Sequence, residues 1–174
     1  MLGLLAGQIE ALNAKLKAIE ARLMAWHRQD QTSRLLATIP GIGPIGGVSF
    51  ALKVPDPKAF RSARHFAAWV GITPREGSTA GRQRLGRISK QGDEELRRLL
   101  VLGATAVIRA AQRRVEPASE PASQGPANTA SPWLMGLLAR KAKKLAAVAL
   151  ANKMARIIWA MMVSGEVYRR PQQA

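Results

Sequence analysis

Seven apolar residues near the start of the chain, Leu5, Ile9, Leu12, Leu16, Ile19, Leu23 and Trp26, recur in alternating steps of four and three. That spacing keeps one seam on a single face of an α-helix. Gln8, Glu10, Lys15, Lys17, Glu20 and Arg22 fill the interstices and suit solvent. Residues 1–30 are therefore expected as a coiled-coil arm. Its seam takes a second helix, either from its own domain or from another copy of the chain. Helical periods recur further along, so the expected fold is mainly α: an N-terminal coiled-coil helix, a helical domain containing a helix-hairpin-helix, and C-terminal helices.

Charge narrows the partners. Lys and Arg number 27 against 11 Asp and Glu, a net +16 on 174 residues, as expected for a chain that meets polyanions. Nucleic acid and an anionic membrane surface attract the same patches. The chain has no Cys, and its two His, His27 and His65, make no imidazole cluster, so no metal site is expected in it. No uninterrupted apolar run approaches the roughly 18 residues of a membrane span. The N-terminus lacks a basic n-region and a small-residue cleavage site. The expectation is an intracellular protein with no membrane partner.

Leu35 to Ala51 contains Ile39-Pro40-Gly41-Ile42-Gly43-Pro44, where one apolar helix stops and another starts. This suits a helix-hairpin-helix in which Gly41 and Gly43, free of Cβ, let backbone N–H groups approach a phosphate. An ordinary tight αα turn is the alternative. Asp56-Pro57 reads as an N-cap and first-turn proline opening a helix through Phe60, Ala63, Phe66, Ala67 and Val70. Capping accounts for Asp56 and core packing for the apolar residues. His65, beside Arg61 and Arg64, has no acidic or nucleophilic companion and is taken as structural.

The stretch from Arg75 to Gly92 has little apolar periodicity, and Gly77, Gly81, Gly86 and Gly92 mark it as a loop. Two adjacent hydroxyls, Ser78 and Thr79, sit among Arg75, Arg82, Arg84, Arg87 and Lys90. A phosphodiester bound there would meet candidate nucleophiles and charge stabilisation together. A basic loop that binds phosphate without chemistry fits the same residues. Asp93-Glu94-Glu95 then opens a helix at the end where its dipole favours acid, and Arg113 and Arg114 close it. Its stripe is Leu96, Leu100, Ala104, Val107, Ile108 and Ala111, with Gly103 allowing close packing. Residues 31–115 thus form the expected hairpin and nucleophile-loop domain. The Pro/Ala/Ser/Gln-rich 116–131 reads as a flexible linker. Within 132–174, Ser131-Pro132 caps one long helix or two short ones finishing near Gly165, with Trp159 as a core anchor.

The Ile39–Pro44 turn, the run from Phe66 through Lys90, the helix from Leu96 to Arg109 and the tail Ala149–Arg156 occur in one order. Together they resemble the C-terminal half of insertion-sequence 110/116/902 family transposases, in particular the 1111-like branch. The loop is written almost as that family writes it: Gly-hydrophobic-Thr-Pro, Ser-Thr, glycine with basic residues, then Gly-Arg-Ile-Ser-Lys-Gln-Gly-Asp. The resemblance implies a serine-dependent recombinase of two halves. One is a RuvC-like domain whose acidic residues hold Mg²⁺; the other supplies the hydroxyl that cleaves and joins DNA, guided by a structured bridge RNA. Ser78 matches the first hydroxyl and Thr79 the second, which is often serine in relatives. Arg82 stands where the family has lysine, and Ala80 where it has glycine. The acidic cluster does not precede Met1 in this sequence, so the polypeptide alone is expected not to transpose. Its implied partners are DNA, a guide RNA, the RuvC-like domain and further copies of itself, in the bacterial cytoplasm at the nucleoid. The alternative is a non-catalytic helix-hairpin-helix module that binds nucleic acid.

Overall fold

The computed structural model describes residues 2–77, 82, 84–113 and 131–169. Helix α1 (Leu2–Gln29) leads into α2 (Gln31–Leu36), α3 (Pro44–Lys53), a 3-10 turn (Pro57–Ala59) and α4 (Ala63–Val70). Strands β1 (Pro74–Glu76) and β2 (Leu85–Ile88) precede α5 (Glu94–Arg113), α6 (Pro132–Arg140) and α7 (Lys143–Ser164). The protein is mainly α, as expected. Its boundaries follow local chemistry. The Asp30 carboxylate accepts the Ser33 amide, and the Ser131 hydroxyl accepts the Leu134 amide at 3.3 Å. Pro44 and Pro132 occupy first turns, where a missing N–H is harmless. Gly71 and Gly165 end α4 and α7 in the left-handed region, with φ of 79° and 72°.

The helix expected to open at Asp56 is interrupted. Asp56 caps only the 3-10 turn, accepting the Lys58 amide at 2.9 Å, and a second cap, the Ser62 hydroxyl, accepts the His65 amide at 3.2 Å to start α4. The aromatic packing explains the break. The Phe60 ring lies 5.1 Å from Phe66 and 5.2 Å from Trp69, edge-on or tilted. In one continuous helix, residues six apart would point about 120° apart and stand about 9 Å apart along the axis, so Phe60 could not reach Phe66.

Leu36, Ile39, Ile42, Phe50, Phe66, Val70, Ile72, Leu96 and Leu100 form the main core together with Ala151, Met154, Ile158 and Met161 of α7. A second cluster joins Ile108 to Leu134, Ala146 and Ala147, so α7 runs back along α5 with α6 at its far end. By length and composition, the 22-residue α7 is apolar enough to cross a membrane. Its apolar character matches burial: Ala146, Ala151, Ala155 and Ile158 are fully covered. Trp159 is an anchor as expected, its indole N–H donating to the Pro57 carbonyl at 2.9 Å.

Two contacts fix the middle of the fold. A Cβ on Gly41 would stand 2.6 Å from the Gly103 carbonyl oxygen, and a Cβ on Gly103 would overlap the Gly41 carbonyl oxygen. The Pro40-Gly41 turn therefore lies with its backbone directly on α5, and Gly41 also has a φ of 87°. Nearby, the Lys53 ammonium bonds Asp93 at 2.9 Å and Glu95 at 2.6 Å, and the Ser49 hydroxyl donates to Glu95 at 3.2 Å. Asp93 also caps α5 by accepting the Leu96 amide at 2.8 Å. The bonds to Glu95 and Asp93 hold Lys53 above its ordinary pKa, and the Lys53 bond draws Glu95 below its own. Partial burial opposes ionisation of Asp93, yet the Leu96 amide and Lys53 outweigh it and leave the carboxyl below its ordinary value. The acidic start of α5 thus serves a cross-helix ion pair as well as the helix dipole.

Opposite effects of alanine follow at two helical glycines. Gly103→Ala should lower stability by about 1–3 kcal/mol, because the turn on α5 must move. Gly136→Ala, where an added Cβ meets nothing within 4 Å, should raise it by about 0.5–1 kcal/mol. Urea denaturation of the two variants checks the pair.

Candidate nucleic-acid interface

The segment read from sequence as a loop is an antiparallel hairpin. Pro74 pairs with Ile88 and Glu76 with Leu85, with an irregularity between them. Three further bonds extend the ladder: Gly77 N–H to Arg84 O at 2.9 Å, Ser89 N–H to Thr73 O at 2.9 Å and Lys90 N–H to Gly71 O at 3.0 Å. Strands this short, with Gly86 inside one of them, leave no alternation for a sequence reading to find.

The hairpin is exposed along both strands but rooted firmly. Gly71 and Lys90 face each other across its base, both left-handed, Lys90 with a φ of 58°. A Cβ on Gly92 would overlap the Trp69 carbonyl oxygen, so the chain leaving the hairpin lies against the end of α4. The Arg97 guanidinium donates to the Val70 carbonyl at 3.1 Å and the Gly92 carbonyl at 3.4 Å. Asn152 of α7 donates to the Ile72 carbonyl at 3.4 Å. Arg97 and Asn152 were not singled out from sequence as site residues.

Of the expected cationic residues, Arg82, Arg84, Arg87 and Lys90 are exposed on or beside the hairpin. Arg75 is exposed too, its guanidinium donating to the Ser89 carbonyl at 3.2 Å. Glu76 is the single acidic residue between Arg75 and Lys90. Ser78 and Thr79 lie outside the described residues, between Gly77 and Arg82 in the chain. The expected linker from Glu116 to Ala130 also lies outside them. The Ser89 hydroxyl is buried and has no hydrogen-bond partner among the described residues.

The two glycines of the α2–α3 turn divide. Gly41 is committed to packing on Gly103, whereas an added Cβ on Gly43 meets nothing within 4 Å. Gly43 forms the start of α3 without a side-chain cap, so this helix end opens to solvent. His65 sits exposed with its ring 5.8 Å from Phe60. At the other end of the molecule, Ile9, Leu12, Leu16 and Ile19 of the α1 seam are 57–60% exposed. Leu23 and Trp26 instead join Val48 and Leu52 of α3 around a groove of about 560 Å³.

Residues 33–118, which include the α2–α3 turn and the hairpin, match a family described as transposase IS116/IS110/IS902. The y4pF/y4sB protein of Sinorhizobium fredii, which carries a transposase name, is 49% identical over 161 residues, 92% of this chain and 39% of its own length. The transposase for insertion sequence element IS1328 of Yersinia enterocolitica is 39% identical over 168 residues, 97% of this chain and 45% of its own. That for IS1111A of Coxiella burnetii is 33% identical over 150 residues, 86% and 38% respectively. The chain spans less than half the length of these relatives.

If the hairpin cations meet phosphates, removing them releases fewer counterions on binding. Arg84→Gln and Arg87→Gln should each lower the slope of log K against log salt by about one unit on duplex DNA. Fluorescence-anisotropy titrations across salt concentrations measure it, and parallel lines for parent and variants would remove the hairpin from the interface.

Proposed function

The chain belongs to the IS116/IS110/IS902 family of transposases, and we propose that within it the Pro74–Ile88 hairpin holds a DNA phosphodiester against a side-chain hydroxyl, Ser78 or Thr79. The likeness to the IS1111A and IS1328 transposases fits the 1111-like branch. The reading is supported by a solvent-exposed hairpin, rooted on α4, α5 and α7, that carries Arg75, Arg82, Arg84, Arg87 and Lys90, with both hydroxyls lying between Gly77 and Arg82 in the sequence. Cations there neutralise the non-bridging oxygens as charge builds on the phosphoryl group. The hydroxyl oxygen attacks phosphorus, one P–O bond forms to the side chain, and another breaks to release a DNA hydroxyl. Attack by a second DNA hydroxyl on that linkage restores a phosphodiester and frees the side chain, which accounts for cutting and joining by one group.

Among the described residues no group of three or more His, Asp or Glu could hold a metal. The Mg²⁺ implied by the sequence resemblance is assigned in this proposal to an acidic RuvC-like domain acting as a partner. A structured guide RNA is a second proposed polyanion. The open helix start at Gly43 favours a further reading, a helix-hairpin-helix that grips the backbone without chemistry. An adduct assay separates them. With an acidic domain, RNA and DNA supplied from a relative's element, the parent should form a covalent protein–DNA species. Either Ser78→Ala or Thr79→Val should abolish it, at least 100-fold by order of magnitude, with DNA affinity held within about twofold. Binding without any adduct from the parent would leave the module reading.

The exposed α1 seam completes the proposal as a coiled coil with a second copy of the chain. Each seam residue so buried contributes about 1.5–3 kcal/mol. Sedimentation should show a dimer for the parent and a monomer for Leu12→Glu/Leu16→Glu. A parent that stays monomeric at about 100 μM, far above the affinity expected for such burial, would sink the assembly.

A further inference from the structure

From Ser131 through Gly165 the chain has no Asp or Glu, while Arg140, Lys141, Lys143, Lys144, Lys153 and Arg156 add six positive charges. The first four crowd the bend between α6 and α7, and all four are exposed. Among the described residues no carboxylate pairs with any of them; the ion pairs present engage Lys53 and Arg98. The arrangement opposes folding on two counts. Like charges repel at short range, and Lys143 and Lys144 stand in the first turn of α7, where the helix dipole disfavours cations. Arg140 donates to the Gly136 carbonyl at 3.0 Å and, with Lys141, suits the C-terminal end of α6, but nothing comparable accounts for Lys143 and Lys144.

α6 folds back on α7, so this helical hairpin has a second charged end. There Trp133 is 41% exposed, with the Lys153 ammonium 4.3 Å from its ring centroid. Ile108, Leu134, Ala146 and Ala147 pin the α6–α7 pair to the C-terminal part of α5. The β-hairpin root meets the first turns of α5 through Gly92 and Arg97, and meets α7 at Asn152, eight residues or about 12 Å of helix from Lys144, so the exposed strands extend the reach from there. α5 runs from Glu94 to Arg113, and its length of about 30 Å equals about nine base pairs of duplex.

We propose that the α6–α7 bend is a second DNA-backbone contact, so that one duplex lies along α5 with the β-hairpin at one end and Arg140, Lys141, Lys143 and Lys144 at the other. This rests on reading the β-hairpin as a DNA contact. Charge complementarity selects a polyanion, and a stiff duplex spans the two poles without bending, its persistence length being about 150 base pairs. A lipid surface is the less fitting occupant, because Ala146, Ala147, Ala151, Met154, Ile158 and Met161 of α7 are buried in the two cores.

The test compares the full chain with a bend variant, Arg140→Gln/Lys141→Gln/Lys143→Gln/Lys144→Gln, and a β-hairpin variant, Arg84→Gln/Arg87→Gln. On a duplex of about 24 base pairs the bend variant should lose about four units of salt slope, and the β-hairpin variant about two. Lys141→Arg/Lys143→Arg/Lys144→Arg should keep the parent slope. The parent should also gain affinity steeply as the duplex grows from about 8 to about 16 base pairs, past the reach of α5, and the bend variant should not. Circular-dichroism melting confirms folding of each variant; all four substituted side chains of the bend are exposed. An unchanged slope for the bend variant alone overturns the second contact and leaves the β-hairpin reading standing. An unchanged slope for the β-hairpin variant overturns the shared duplex and that reading with it. Loss of binding to phosphatidylglycerol vesicles without loss on DNA overturns the proposal in favour of lipid.

Discussion

The backbone-to-backbone seat of Gly41 on Gly103 is the constraint from which the rest of the arrangement follows. Two glycines let the α2–α3 turn lie on α5 closer than any side chain permits, and that approach fixes where α3 can run. Lys53, at the last turn of α3, then reaches Asp93 and Glu95 at the first turn of α5. With the start of α5 held there, Gly92 and Arg97 meet the end of α4, and the β-hairpin is projected from a base that cannot tilt freely. The chain of dependence runs from a steric allowance at one residue pair to the presentation of five cations.

The parts of this that a sequence shows are local ones. Heptad spacing gave α1 its helix, Ser131-Pro132 and Gly165 marked helix ends, and Gly103 announced a close neighbour before that neighbour was known. The misses share a cause. Phe60 leaves the helix because it packs on Phe66 and Trp69, and no periodicity reports such a tertiary preference. Strands of three and four residues with a glycine inside are too short to alternate. Arg97 and Asn152 act on carbonyls 27 and 80 positions away in the chain, a distance over which residue patterns carry no geometric information. The exposure of the candidate cations was legible because charge is kept on surfaces; their carrier, a hairpin rather than a loop, was not.

Glycine served two purposes in the Ile39–Pro44 motif. Its composition suggested phosphate contact at both positions; both are exposed, but at Gly41 the close approach to α5 by itself requires glycine, whereas at Gly43 no neighbour does. A motif whose residues suit a ligand can therefore owe half of its composition to the fold, and the two halves separate only when the neighbour, here α5, is in place.

The last helix has a consequence for how the protein comes into being. Ala151, Met154, Ile158 and Met161 fill the same core as Leu36, Phe66 and Leu96, and Asn152 ties off the hairpin base at Ile72. Until α7 is made, that centre is unfilled and the hairpin base lacks the Asn152 bond, held only by Gly92 and Arg97. The footing of the hairpin is thus completed by a residue made 80 positions after the carbonyl it holds, and a product interrupted before α7 lacks both that bond and the apolar filling of the core.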